Sequence, residues 1–350
     1  MTQQQHLCIA QHGAWGTIQL DRTQHLNALS YEMIQGIRQQ LQHWATDDKI
    51  EAILISSNSP KAFCAGGDIR HLYDSFVQQT ADYRDYFCAE YAMLDQLQHY
   101  SKPVVALLDG YVLGGGFGLA NACHICVSTE KSRFAMPETA IGYFPDVGAT
   151  YFLSRRQEVG CYMALSGEQI SSQDALHYAF IDYLVESSQW AELQQVLLSS
   201  TQPSVANIRY ILTDFAALPG ESALKQKEAC IRKHFSLSTV EDIEQSLAQE
   251  QDPADQAWAQ QLAATLQQRS LLAKQVSLLL QHYGAQLERE DAMQLERDLQ
   301  NIWCEQGDII EGIRALIVDK DKNPQWQAAN PALLQKTLQI CQAYTASSSV

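Results

Sequence analysis

The sequence predicts an α/β fold followed by an α-helical C-terminal region, and three observations lead to this prediction. Short apolar runs alternate, in the first half of the chain, with segments whose apolar residues recur at helical spacing. Glycine clusters follow two of these runs. From residue 188 onward glycine thins out, while Gln, Leu, Ala and Glu dominate. We therefore predict an α/β core over residues 1–187 and a helical extension over residues 188–350.

The predicted core begins in the order strand, helix, strand. Trp15 to Leu20 alternates apolar and polar residues as a half-buried strand does. Tyr31 to Trp44 carries apolar residues at helical spacing, and Ser30 before it is a favourable N-cap residue. Ala52 to Ser56 and Val104 to Leu108 are short apolar runs typical of buried strands. This alternation favours α/β layering.

Further helices are expected along the rest of the chain. Tyr83 to Gln98 places its large apolar residues on one face, and Glu90 lies off that stripe, where a solvated carboxylate is the simplest interpretation. Thr239 is expected to cap a helix that starts directly after it. The other predicted helices cover residues 157–169, 171–178, 262–282 and 287–305.

Charge and length exclude some classes of function. The chain has 350 residues, enough to bury a large core, and a formal net charge of −16. This charge argues against nucleic acid as a partner, because phosphate binding needs clustered Lys and Arg. An anionic ligand must therefore be bound by local donors rather than by the field of the whole protein.

The N-terminus and the cysteines predict the location of the protein. The first residues contain no basic stretch followed by an apolar one, so we expect no targeting segment. The most apolar region, residues 104–127, is interrupted by Asp109, glycines and Asn121, so we expect no membrane span and no membrane partner. Nine scattered cysteines, an odd number, indicate reduced thiols and a cytoplasmic protein.

The stretch from Pro103 to Gly148 organises the predicted site. Its strand leads through a turn at Asp109-Gly110 into Gly114-Gly115-Gly116, at the start of a helix. Glycine lets a ligand approach the backbone, and free N–H groups at a helix start attract negative charge. Glu138 and Asp146 follow in the same stretch. Backbone donors followed by two carboxylates indicate chemistry on a carbonyl group.

A second glycine pair occurs in Ala65-Gly66-Gly67-Asp68. A tight turn and a helix with Asp68 in its first turn are the simpler interpretation of one such pair. The functional interpretation makes the Gly67 N–H a second donor that faces the one at Gly115. Two glycine sites, each directly after a buried strand, favour the functional interpretation.

Several standard motifs are absent from the sequence. The glycines do not form the dinucleotide fingerprint, because Leu119 and Asn121 occupy positions that require glycine. Neither a phosphate-binding loop nor a nucleophile elbow occurs. Cys123 and Cys126 have metal-site spacing but lack a second ligand pair, so we expect buried thiols and no metal. Cys64 lacks a placed His and is interpreted as a packed thiol.

The chain contains the glycine pair at Gly66-Gly67, the glycine triplet at 114–116 and the run Met136-Pro137-Glu138. Taken together, these three motifs resemble the crotonase superfamily, also called the enoyl-CoA hydratase/isomerase superfamily. This resemblance covers about residues 10–190. A closer likeness is to its thioester-hydrolase branch, which acts on 3-hydroxyisobutyryl-CoA in valine catabolism. The stretches that carry this likeness are Phe63–Arg70, Phe134–Gly142, Phe144–Gly148 and Glu311–Asp321.

The resemblance implies a spiral of ββα units with a helical C-terminal region, and an acyl-CoA substrate. It further implies that the Gly67 and Gly115 N–H groups form the oxyanion hole that binds the thioester oxygen. The residues matching acyl-group contacts are Glu90, Gly115, Glu138, Asp146 and Ala65. Glu138 and Asp146 are the implied catalytic residues. No cofactor is implied, since CoA is part of the substrate, and homo-oligomerisation stays open.

One departure from the hydratases indicates the reaction. Similar hydratases carry a second catalytic glutamate where this chain has Gly118, and they tend to have glycine where it has Asp146. Addition of water across a C=C bond needs a general acid and a general base, and one of these two groups is missing here. We therefore expect hydrolysis of a short-chain 3-hydroxyacyl-CoA thioester. Glu138 acts either as a nucleophile or as a general base, and the sequence does not choose.

Two alternatives to the hydrolase stay in view. One is a hydratase or isomerase of the same fold, in which Asp146 replaces the missing glutamate. The other is an acyl-CoA-binding protein without catalysis, which the intact carboxylates and donor glycines disfavour.

Overall fold

The computed structural model describes residues 2–4, 6–80 and 82–347. Its strands are β1 Thr2–Gln4, β2 Leu7–His12, β3 Trp15–Leu20, β4 Ala52–Ser57, β5 Ala62–Cys64, β6 Val104–Leu108, β7 Tyr111–Leu113, β8 Ile125–Thr129, β9 Arg133–Ala135, β10 Ile170–Ser171 and β11 Tyr183–Val185. The predicted strands at Trp15, Ala52 and Val104 are confirmed, with Ser57 added to β4.

The helices are α1 Tyr31–Ala45, α2 Ile69–Gln78, α3 Asp82–Gln98, α4 Gly115–Asn121, α5 Ala149–Phe152, α6 Gln157–Ser166, α7 Ser172–His177, α8 Trp190–Ser199, α9 Val205–Phe215, α10 Ala223–Gln226, α11 Glu228–Phe235, α12 Val240–Ala248, α13 Gln256–Gln267, α14 Leu271–Gly284, α15 Arg289–Gln306, α16 Ile309–Ile313 and α17 Pro331–Ser347. Within the described residues, no helix combines the length and the apolar character needed to cross a membrane.

Two sheets carry the strands. The larger has the order β1-β2-β3-β4-β6-β8-β11, and from β3 onward its neighbours are parallel. Every residue of β6 and β8 is buried, as expected for parallel strands covered on both faces. The smaller sheet has the order β10-β9-β7-β5. Because β4, β6 and β8 are each followed by a short strand of the smaller sheet, the predicted ββα repeat is confirmed.

The chain divides into two compact units that each contain several segments. The first comprises Met1–Asp68, Asp85–Phe134 and Ile170–Lys225, and holds the larger sheet. The second comprises Ile69–Arg84, Ala135–Gln169 and Gln226–Val350, and is mainly helical. These bounds differ from the predicted boundary between residues 187 and 188, which stays a prediction.

The core of the first unit extends past that predicted boundary. Apolar residues of β3, β4, β6 and β8 pack with Leu193 and Leu197 of α8 and with Ile208 and Leu212 of α9. Burial of a leucine or isoleucine side chain contributes about 1.5–3 kcal/mol. The first two helices of the predicted extension are therefore a layer on the larger sheet.

Local signals explain where several helices begin and end, and three predictions about helices are wrong. Ser30 caps α1 by accepting from Met33 N, as expected. The helix predicted over 157–169 ends at Ser166, because Gly167 has φ 66° and stops it. The helix predicted over 262–282 is two helices, since Ser270 caps α14 by accepting from Ala273 N.

The third correction concerns Asp68. This residue precedes α2 instead of lying in its first turn. Its carboxylate accepts from Arg22 Nη2 at 2.7 Å, and its backbone N–H donates to Leu29 O. The ion pair ties the end of the second glycine loop to the loop that follows β3.

Candidate active site

The two glycine loops meet in the first unit. Gly67 follows β5 and Gly115 follows β7, and these strands are parallel neighbours with Ala62 opposite Tyr111. Parallel neighbours end at the same edge of a sheet, so the loops after them lie side by side. A Cβ built on Gly115 would lie 3.2 Å from Gly67 N. Sheet topology therefore brings together two donors that lie far apart in the sequence.

Both N–H groups are available to a ligand. In the described part of the chain, neither Gly67 nor Gly115 donates its N–H to a backbone carbonyl. Gly115 is the first residue of α4, where helix N–H groups have no intrahelical acceptor. Two free backbone donors at one point can bind an oxygen that gains negative charge.

Glycine is required at both positions because side chains crowd them. A Cβ on Gly67 would lie 2.6 Å from Tyr86 Oη, and one on Gly115 would lie 2.8 Å from Glu90 Oε1. Tyr86 cannot move aside easily, since it is buried and donates to Leu29 O. Both contacts come from α3, the second helix after the Gly66-Gly67 loop.

Glu90 is buried, and the expectation of a solvated carboxylate is wrong. Its side chain is only 3 % exposed, although it lies beside the apolar stripe of α3. Burial raises the pKa of Glu90 to about 8, because the charged form loses its hydration. Oε1 has no hydrogen-bond partner among the residues that the structure describes. A neutral carboxylic acid therefore stands next to Gly115 at neutral pH.

Cys64 and Ala65 directly precede the glycine pair Gly66-Gly67. Ala65 is half-buried, and its N–H donates to Leu26 O. Cys64 is fully buried, and burial raises the pKa of its thiol to about 12. A thiol that keeps its proton is a poor nucleophile, which agrees with a packing role for Cys64.

Glu138 belongs to the second unit, at the start of a 3₁₀ turn formed by Glu138–Ile141. The turn follows β9 and ends at Gly142, whose φ of 71° suits glycine. Thr139 Oγ1 donates to Leu165 O and anchors the turn to the end of α6. The Glu138 side chain is 8 % exposed. The turn therefore holds a buried carboxylate on a short, anchored piece of backbone.

Asp146 lies in the same unit and is 6 % exposed. Gln300 Nε2 of α15 donates to Asp146 Oδ2 at 3.3 Å. The backbone carbonyl of Asp146 accepts from Ala149 N. The backbone of Asp146 therefore closes a turn, whereas its side chain accepts a hydrogen bond from a residue far along the chain.

Helix α15 holds the loop from Glu138 to Gly148 along its length. Glu296 is fully buried and accepts from Gly148 N and Thr150 N, both at 2.8 Å. Trp303 Nε1 donates to Gly142 O at 2.8 Å. Sequence reasoning missed these supporting residues. The available signal was a row of polar and aromatic residues, Glu296, Gln300 and Trp303, at helical spacing on one face.

Among the described residues, one cluster could hold a metal ion. Ligand atoms of Cys230, His234 and Glu250 lie within 4.8 Å of one another in the second unit. The Glu250 carboxylate already accepts from Lys233 Nζ, His234 Nε2 and two backbone N–H groups. The cluster thus forms a satisfied ion-pair network.

Comparison with known proteins identifies the family. The model of the enoyl-CoA hydratase/isomerase family matches residues 15–339. The chain belongs to the enoyl-CoA hydratase/isomerase family.

Curated relatives in this family carry a hydrolase name. The mitochondrial 3-hydroxyisobutyryl-CoA hydrolase of Gallus gallus is 36% identical over 327 residues, which cover 92% of this chain and 84% of that protein. The Homo sapiens protein of the same name is 33% identical over 335 residues, covering 93% of this chain and 85% of its own. The match therefore includes the helical C-terminal region.

Solved structures of the family share the whole fold. A carnitinyl-CoA dehydratase from Mycobacterium thermoresistibile matches with a TM-score of 0.85 at 31% identity, covering 97% of this chain and 96% of its own. An enoyl-CoA hydratase from Rhodobacter sphaeroides 2.4.1 matches with a TM-score of 0.82 at 30% identity, covering 95% and 97%. The predicted crotonase-like fold is confirmed.

Proposed function

We propose that this chain hydrolyses a short-chain 3-hydroxyacyl-CoA thioester, and that its substrate is 3-hydroxyisobutyryl-CoA of valine catabolism. The observation that carries the proposal is the likeness, over more than nine-tenths of the chain, to relatives named for this activity. Gly118 in place of a carboxylate and the buried Asp146 support it. The hydrolase predicted from the sequence agrees with the names of these relatives.

In the proposed reaction, the Gly67 and Gly115 N–H groups bind the thioester oxygen. Negative charge develops on that oxygen when the carbonyl carbon becomes tetrahedral. Removal of one such donor costs about 3 kcal/mol of transition-state stabilisation in comparable sites. The close approach of the two glycine backbones supports this role.

Glu138 supplies the proposed catalytic carboxylate in one of two ways. As a nucleophile, its oxygen attacks the carbonyl carbon, the C–S bond breaks, and water then hydrolyses the mixed anhydride. As a general base, it takes a proton from the water that attacks the same carbon. Both routes release CoA as a thiol and 3-hydroxyisobutyrate as the acid. Asp146 is proposed to orient the 3-hydroxyl group or the water.

A hydratase is the second candidate, because two solved relatives carry dehydratase and hydratase names. Purified protein and a panel of short acyl-CoA substrates separate the two. Hydrolysis releases free thiol from 3-hydroxyisobutyryl-CoA, whereas hydration lowers the absorbance of a conjugated enoyl-CoA. We expect thiol release. Loss of enoyl absorbance without thiol release would establish the hydratase instead.

Cofactor, location and assembly are proposed as well. We propose that the reaction needs no cofactor or metal, because backbone N–H groups serve the oxyanion. We propose a cytoplasmic location, supported by nine cysteines that are all free thiols. Cell fractionation tests this against the mitochondrial location in the relatives' names. Light scattering tests whether the chain forms a homo-oligomer.

A further inference from the structure

We propose that the helices of the second unit form a separate binding site for an uncharged, apolar chain that contains an amide group. This site goes beyond the proposed hydrolase activity and uses none of its residues. Failure of this proposal therefore leaves the proposed function untouched.

The site is a cavity of about 890 Å³ within the second unit. Its walls come from α6, α12, α14 and α17, and from the link between α11 and α12. Cavities of 300–1,000 Å³ are the usual size for small-molecule sites. The cavity is therefore large enough for a small organic ligand, and much larger than the space that a few water molecules occupy.

Leucines form the apolar part of the cavity wall. Leu237, Leu278, Leu279, Leu334 and Leu338 all line it, and each of them is only partly buried. Five partly exposed leucines around one cavity leave apolar surface in water, which an apolar ligand would cover. Cys161 also lines the cavity, and burial raises the pKa of its thiol to about 12. The ligand is therefore expected to bind without a covalent bond.

Gln281 indicates the polar group of the ligand. It lies in the cavity wall on α14 and is only 3 % exposed. Neither Nε2 nor Oε1 has a hydrogen-bond partner among the described residues. A buried amide without partners is costly, because the donor and the acceptor both lost their water. Another amide is the complementary group, since it accepts from Nε2 and donates to Oε1.

Charge around the cavity disfavours an anionic ligand. Glu158 and Glu241 line it, none of the described lining residues is Lys or Arg, and His282 is the one lining side chain that can carry a positive charge. A carboxylate or a phosphate would therefore be repelled by two glutamates and would have a single histidine to pair with. A free fatty acid and a CoA nucleotide are both disfavoured, whereas an uncharged amide meets no such penalty.

Isothermal titration calorimetry of the whole chain with N-butylhexanamide tests the site. We expect one bound molecule per chain and roughly tenfold weaker binding to Gln281→Met, which loses two neutral hydrogen bonds. Gln335→Met is the matched control, because Gln335 also lines the cavity but is exposed. The melting temperature of Gln281→Met should equal or exceed that of the wild type, which separates lost binding from lost folding.

Two further ligands test the chemistry. Butyl hexanoate lacks the N–H donor and N-hexanoyl-β-alanine adds a carboxylate, so both should bind at least about tenfold more weakly than the amide. Equal affinity of wild type and Gln281→Met for the amide would overturn the proposal, as would no binding up to the solubility limit. If Leu278→Trp changes the oligomeric state while the amide does not bind, the cavity is a subunit contact and the proposal is wrong.

Discussion

The donor glycines of the first unit and the carboxylates of the second unit are positioned in different ways. Gly67 and Gly115 follow directly from adjacent parallel strands, so the sheet places their N–H groups. Glu138 and Asp146 lie on a loop that α15 holds through Glu296, Gln300 and Trp303. The backbone donors therefore need only the pairing of two strands, whereas the buried carboxylates need a remote helix that supplies hydrogen bonds.

The largest expected effect tests the carboxylate half of this comparison. Glu138→Gln should lower kcat at least about a hundredfold with KM largely kept, because a lost acid–base or nucleophilic group acts on the chemical step. Steady-state thiol release measures it. Glu168→Gln is the matched control, since Glu168 lies in the same unit and is half-buried. Near-normal turnover of folded Glu138→Gln would remove Glu138 from the mechanism.

The next effect tests the glycine half. Gly115→Ala should lower kcat/KM by about thirtyfold, because its methyl group would lie 2.8 Å from Glu90 Oε1 and would displace a donor loop. Gly13→Ala is the control for general destabilisation, since the φ of 58° at Gly13 disfavours alanine although the added methyl meets nothing within 4 Å. If the two variants lose the same activity, the loss comes from general destabilisation and the oxyanion role is not supported.

A smaller effect tests whether Asp146 binds the substrate hydroxyl group or only stabilises the fold. Asp146→Gly should reduce the preference for 3-hydroxyisobutyryl-CoA over isobutyryl-CoA by about tenfold, because the hydroxyl loses its partner. The ratio of the two kcat/KM values measures this preference. Gln300→Leu should reduce the same ratio less, since it removes one hydrogen bond to the Asp146 carboxylate and leaves the carboxylate itself in place. A purely structural Asp146 predicts lower stability at an unchanged ratio.

Two buried glutamates, one in each unit, should make the stability of the protein depend on pH in opposite directions. Burial raises the pKa of Glu90 from its ordinary 4.5 to about 8, so its contribution to stability is largest below pH 4.5 and falls as pH rises towards 8. The backbone N–H of Asp252, and then Lys233, lower the pKa of Glu250 to about 2. Its contribution is present above pH 4.5 and is lost as pH falls towards 2.

Melting temperatures across pH measure these opposite slopes. Glu90→Gln should flatten the decline between pH 4.5 and 8, and Glu250→Gln should flatten the decline below pH 4.5. Since each variant changes one unit only, it is the control for the other. An unchanged pH profile in Glu90→Gln would mean that Glu90 is not neutral in the folded protein.

The last prediction is that removal of metal ions has no effect on activity. EDTA should leave thiol release unchanged if backbone N–H groups alone serve the oxyanion. Activity that is lost with EDTA and restored by zinc or magnesium would contradict the metal-free proposal. In that case Cys230, His234 and Glu250 are the first residues to substitute.

The sequence by itself determined the local features of this protein. Strand β6, the cap at Ser30 and the two glycine loops follow from short-range patterns, because apolar periodicity and side-chain capping act over a few residues. The family could also be identified, since its motifs are short stretches near Gly67, Gly115 and Glu138.

Only the tertiary structure decided which polar groups are buried and what holds them. Glu90 is enclosed although it lies off the apolar stripe of its helix, and Asp68 pairs with Arg22 before its helix begins. Asp146 depends on Gln300, which is 154 residues away along the chain. Burial and long-range hydrogen bonds depend on which elements pack together, and no pattern within a short window of the sequence contains that information.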